Sequence, residues 1–175
     1  MERNPIPLDN LTLRPYDLFA NRWLLLACGR LDEAQFNVMT VAWGSIGQMW
    51  DKPFVQVVVR PTRYTFEFME RFPTFTLSSF SEKYRPVLNL LGSKSGRDGD
   101  KMKESGLTPM PSRRVEAPSF HEADLVFECR KMYWADFDAT HFIDPETHRL
   151  YPKKDYHRVY FGEILAAEGC ETYRS

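Results

Sequence analysis

The chain has 175 residues, of which 43% are hydrophobic, 14% aromatic and 27% charged. That length and balance predict one packed domain over residues 1–175 and exclude a disordered or repetitive chain. A formal net charge of −1 leaves no global basic field for nucleic acid or an anionic membrane, so any anion must be held locally.

In chain order, the opening MERNPIPLDNLTLRP places prolines and charges where a signal peptide would be continuously apolar. No segment reaches the roughly 20 apolar residues of a membrane span, so a cytoplasmic protein without a membrane partner is expected. Trp23 to Cys28 (WLLLAC) ends at Gly29 and suits a buried strand. Phe36 to Trp43 (FNVMTVAW) is a second strand, rich in β-branched and aromatic residues and closed by Gly44, Ser45 and Gly47. Phe54 to Val59 makes a third, between Pro53 and Pro61. From Tyr64 the period changes: Tyr64, Phe68, Met69 and Phe72 share one helical face, and Thr62 or Thr65 is placed to cap its first turn. TFTLSS, from Thr74, reads as a fourth strand, and residues 81–91 as a helix whose continuity Pro86 threatens. Residues 100–105 read as a turn or two of helix and 108–118 as a proline-punctuated loop. Two longer strands, LVFECRKMYW and HRVYFGEILA, complete the set.

Six strands in mostly hairpin-like succession, with two short helices, predict a mainly β protein built as a closed antiparallel barrel with helical caps. A doubly wound sheet is the alternative, disfavoured because the helices needed for parallel crossovers are missing. Cys28, Cys129 and Cys170 are odd in number and far apart, which fits neither a disulfide framework nor a zinc site of paired cysteines. All three are expected reduced. The histidines show no metal spacing, and only His157, at the head of the last strand, stays a candidate pocket residue. So many aromatic rings are hard to bury in one small domain, which points some of them to a cavity or a subunit interface.

Three stretches could carry chemistry. Arg60, Arg63 and Thr65 lie in RPTRYT, where a strand meets a helix start whose free N–H groups and partial positive charge attract anions. In FNVMTVAWGS, Asn37 and Thr40 are polar residues in a run that otherwise reads as core, so each must find a protein partner or face a ligand. The third is GSKSGRDGDK, residues 92–101. Asp98 and Asp100 lack the further oxygen ligands of a calcium loop, and the glycine and lysine spacing is not that of a Walker loop. A linker and a phosphate cradle both remain open, with Asp100 placed to cap the helical turn that carries Lys101 and Lys103.

Taken in order and spacing, NVMTVAWG, RPTRYT and SGRDGDK followed by GLTP resemble the flavin reductase-like proteins with an FMN-binding split barrel, flavoredoxin among them. The resemblance runs from about Arg30 to Pro109, with a weaker echo in LVFECR and HRVYFGEIL. It implies non-covalent FMN at a homodimer interface, hydride taken from NADH or NADPH, and electrons passed to an acceptor that can be a partner protein. By position it implies that Asn37, Met39, Thr40 and Trp43 line the isoalloxazine ring, and that Arg60, Thr65 and Lys101 hold the phosphate. Arg63, Tyr64, Ser95 and Gly96 are further contacts. Lys94 departs from the pattern, where a smaller or apolar residue is usual. Flavin brings its own redox reactivity, so no acid/base pair is required, and backbone N–H groups around Thr40 can serve flavin N5 or O4. Two alternatives stand beside an NAD(P)H-dependent oxidoreductase: an FMN-binding electron carrier without nicotinamide oxidation, and a barrel for another phosphorylated ligand.

Overall fold

The β-branched and aromatic runs become strands in the computed structural model, which describes residues 2–175. In chain order the strands are β1 (Asn4–Pro5), β2 (Leu24–Arg30), β3 (Gln35–Val41), β4 (Gly44–Met49), β5 (Lys52–Val59), β6 (Thr74–Ser79), β7 (Pro109–Met110), β8 (Ser119–Phe120), β9 (Leu125–Asp136) and β10 (Arg158–Gly169). The α-helices are α1 (Pro15–Asp17), α2 (Tyr64–Arg71), α3 (Arg85–Ser93) and α4 (Lys101–Ser105), joined by 3-10 turns and a π-helical turn at Leu18–Arg22.

One antiparallel sheet runs in the order β3-β2-β6-β9-β10-β5-β4, with β1 added at β10, while β7, within the loop read from the sequence, pairs separately with β8 just beyond it. The sheet is not the closed barrel expected. Its path ends at β3 and at β4, which are not hydrogen-bonded to each other. Only Ala42 and Trp43 separate those two strands in the chain, so at that corner the sheet ends lie within about 11 Å and the sheet must curl almost fully round. The seam stays open for a local reason. The Val38 carbonyl, on the free side of β3, accepts from the Thr65 hydroxyl of α2 and the Lys101 ammonium of α4, and side chains thus occupy an edge that a closing strand would need.

The unbroken apolar run of β2 follows from burial on both faces. Leu24, Leu26 and Cys28 join Val55, Val57, Phe75, Leu77, Phe127 and Cys129 inside the curled sheet, and Leu25 and Ala27 meet Val38, Leu88, Leu91 and Phe120 under α3. Each fully buried leucine or phenylalanine contributes about 1.5–3 kcal/mol. All three cysteines are free and buried.

Three local readings change. Pro86 does not break a helix: it lies in the first turn of α3, where a proline loses no intrahelical hydrogen bond. The cap of α2 is Arg63, without a side-chain hydrogen bond, because Thr65 turns inward to Asn37 and Val38. Strand β4, missed in the sequence, is a largely exposed edge strand, GSIGQM, whose two apolar residues, Ile46 and Met49, do not alternate to reveal it. Asp100 does cap α4, its Oδ1 accepting from the Lys103 N–H at 3.0 Å.

Candidate flavin site

Strand β3 organises the site. Backbone groups alternate sides along a strand, so if Val38 turns its carbonyl away from β2, Thr40 does the same two residues on. On that side lie two connected cavities. One, of about 210 Å³, is lined by Met39 to Trp43 together with Val58, Arg60 and His157. The other, of about 70 Å³, is lined by Asn37 and Met39 of β3, the start of α2 from Thr62 to Thr65, and Ser93 to Gly96 with Lys101. Met39 belongs to both, which makes them two ends of one groove along the open edge of the sheet.

The smaller end is cationic. Lys101 is 4% exposed and donates to the carbonyls of Val38 at 2.6 Å, Lys94 at 3.2 Å and Leu91 at 3.3 Å. Burial first, and the neighbouring Arg63 charge second, lower its ammonium to a pKa of about 8. The Arg63 guanidinium is also held below its ordinary value, by burial and then by Arg60, and it donates to the Gly92 carbonyl. Among the described residues neither cation has a carboxylate partner. In the first turn of α2, the Phe66 N–H donates to the Arg63 carbonyl at 2.9 Å, while those of Tyr64 and Thr65 have no intrahelical acceptor and no side-chain cap, so the same end offers two backbone donors. Gly96 completes the wall: a Cβ there would clash with Asn37 Oδ1 and come within 3.0 Å of the Tyr64 ring.

The wider end is aromatic. Trp43, 44% exposed, lies 5.2 Å from the His157 ring, whose Nδ1 is 2.8 Å from the Tyr151 hydroxyl. Arg60 is ion-paired with Asp155 at 2.9 Å, donates to the Leu150 carbonyl at 2.8 Å and lies 5.0 Å from the Tyr151 ring centre. Burial and then the Arg60 charge push His157 down to about 4, so it is neutral at physiological pH. Cys28 is buried and pushed up to about 12, which leaves it inert as a nucleophile. This geometry suits a ligand with an anionic end and a flat body: cations and helix N–H groups at one end, an aromatic wall at the other, free strand backbone between.

A family model described as flavin reductase like domain matches residues 17–173. The chain belongs to that family. An uncharacterized protein of Pyrococcus abyssi is 30% identical over 151 residues, which is 85% of this chain and 74% of that protein. Among solved structures, an FMN-binding domain of a flavin reductases-like enzyme from Shewanella baltica OS155 superposes with a TM-score of 0.69 at 18% identity, over 96% of this chain and 77% of that one. Flavoredoxin of Desulfovibrio vulgaris (Miyazaki F) gives 0.67 at 23% identity, over 89% and 73%. The 2-nitrobenzoate 2-nitroreductase of Pseudomonas fluorescens gives 0.65 at 18%, over 94% and 70%. The shared fold is the split barrel of this family.

Every residue singled out in the sequence lines the groove: Asn37, Met39, Thr40, Trp43, Arg60, Arg63, Tyr64, Thr65, Ser95, Gly96 and Lys101. They are not grouped as anticipated. Arg60 belongs to the aromatic end and is committed to Asp155, so it does not stand with Thr65 and Lys101. Asn37 and Thr40 are both satisfied within the protein, through the Thr65 hydroxyl at 2.8 Å and the Leu88 carbonyl at 2.6 Å. Lys94 is accommodated because its ammonium turns to Glu104, at 2.6 Å. The connection between β9 and β10, with Leu150, Tyr151 and Asp155 against Arg60, was not legible, since nothing in its irregular polar sequence marks where it folds back.

Proposed function

We propose that the chain, as one domain, is an FMN-binding oxidoreductase that accepts hydride from NADH or NADPH and passes electrons to an acceptor. The observation that carries this reading is the groove along the unpaired edge of β3, with two carboxylate-free cations at one end and Trp43 and His157 at the other. FMN bound there supplies the hydride and one-electron chemistry that no side chain of the groove possesses. Arg63, the Lys101 charge and the N–H groups of Tyr64 and Thr65 would hold its phosphate, and Met39 and Trp43 would flank the ring. The Thr40 backbone, held in place by its side-chain bond to Leu88, would meet the polar edge of the ring. A micromolar dissociation constant is about −8 kcal/mol, within reach of two or three charge-assisted hydrogen bonds and burial of the ring.

A homodimer is part of the proposal. Edge strand β4 leads into Trp50, 56% exposed, which contacts Tyr133 and Phe161 across the sheet and forms an aromatic surface at the end of β4 away from Trp43. The visible spectrum of the purified protein tests the ligand, and sedimentation tests the dimer. A flavin spectrum with NADH- or NADPH-dependent bleaching supports the full reading. Bound FMN that only a reduced partner protein can bleach makes the chain an electron carrier. A protein stabilised by another phosphorylated compound and not by FMN overturns the flavin assignment.

A further inference from the structure

A second cavity, of about 550 Å³, lies away from the β3 groove, between the π-helical turn at Leu18–Arg22, the start of α3 and the Glu171–Tyr173 turn. Its volume falls in the range of roughly 300–1,000 Å³ common for small-molecule sites. The two arginines on its wall are in opposite states. Arg22 is spent on the protein: it is ion-paired with Asp124 and donates to the Tyr173 hydroxyl at 2.6 Å and the Phe80 carbonyl at 2.8 Å. Arg85 is uncommitted. Its guanidinium lies 4.1 Å from the Trp23 ring centre, its Nη1 is buried with no hydrogen-bond partner, and it forms no ion pair among the described residues.

Trp23 adds an independent sign. It is held at φ 64°, ψ 158°, a conformation that residues with a Cβ rarely adopt, directly after the π-helical turn. Backbone strain of this kind persists only where the surroundings impose it, and it clusters at ligand clamps. Trp23 backs the Arg85 guanidinium, which lies on the cavity wall with its Nη1 unpartnered.

We propose that this cavity binds a small organic carboxylate, anchored by the Arg85 guanidinium and with its apolar body against Phe80 and Leu88. A guanidinium edge matches a carboxylate in shape and can hold both its oxygens. Asp17, Glu82 and the Arg22-paired Asp124 also line the cavity and repel a dianion more strongly than a monoanion, which favours a monocarboxylate over a phosphate. Leu88 joins this cavity to the groove, since its carbonyl also holds the Thr40 hydroxyl.

The test uses the protein with FMN bound and three probes: benzoate, its neutral counterpart benzamide, and inorganic phosphate. Tryptophan fluorescence and melting temperature are the readouts. Benzoate is expected to bind saturably at millimolar concentration or below, more tightly than either of the others. Arg85→Gln should weaken benzoate about ten- to a hundredfold while FMN affinity stays unchanged. Absence of saturable benzoate binding overturns the proposal, as does benzamide binding equally well or phosphate binding better. Benzoate that displaces FMN belongs to the β3 groove and refutes the separate site.

Discussion

Lys101 offers the sharpest test of the cationic end of the groove. Its folded-state pKa of about 8 lies below the ordinary lysine value of 10.5, because the ammonium is buried beside Arg63 with only carbonyls for company. Below pH 8 the lysine is charged in folded and unfolded chains alike, and the folded state carries the whole cost of desolvation. As the pH rises from 8 towards 10.5, the folded chain releases the proton while the unfolded chain keeps it, so stability rises across that window. The depression corresponds to roughly 3 kcal/mol at full titration. Denaturant unfolding of the FMN-free protein between pH 7 and 10, compared with Lys101→Met, isolates this contribution, because every other group titrates alike in both. Phosphate or FMN should flatten the rise by returning the proton's partner, and FMN affinity should fall as the pH passes 8. The same variant should weaken FMN about ten- to a hundredfold at neutral pH. Parallel pH profiles for the two proteins would refute the picture of a buried, uncompensated cation.

Gly96→Ala should lower FMN affinity by about tenfold or more in a fluorescence titration, since Asn37, tied to Thr65, cannot yield to the new methyl; the cost in stability should be about 1–3 kcal/mol. His157 works in the opposite pH range from Lys101. Its folded pKa of about 4 lies below the unfolded value near 6.5, so its contribution is complete above pH 6.5 and is lost as the pH falls towards 4, and His157→Gln should show a shallower acid-side loss of melting temperature. Glu128, 1% exposed, accepts from the backbone N–H groups of Arg113 at 2.9 Å and Arg114 at 2.6 Å; Glu128→Ala should cost roughly 2–4 kcal/mol in urea unfolding and leave FMN affinity unchanged.

The sequence by itself determined the elements whose burial leaves a periodic trace. WLLLAC is apolar without interruption because β2 is covered on both faces, and the change of period at Tyr64 marks α2 because only one face of that helix is buried. The resemblance carried by NVMTVAWG, RPTRYT and SGRDGDK pointed to residues that the fold brings to the two cavities along β3. Tertiary structure alone decided how those groups are used. Arg60 and Lys101 are equally cationic in the sequence, yet one is neutralised by Asp155, 95 residues away, and the other is enclosed by three backbone carbonyls. Whether the barrel closes was also beyond the sequence. Closure depends on what reaches the free edge of β3, and two side chains from distant helices reach the Val38 carbonyl where a strand was expected. A charge or a hydrogen-bonding group is written in one residue, but its desolvation and its partner are properties of the packed chain.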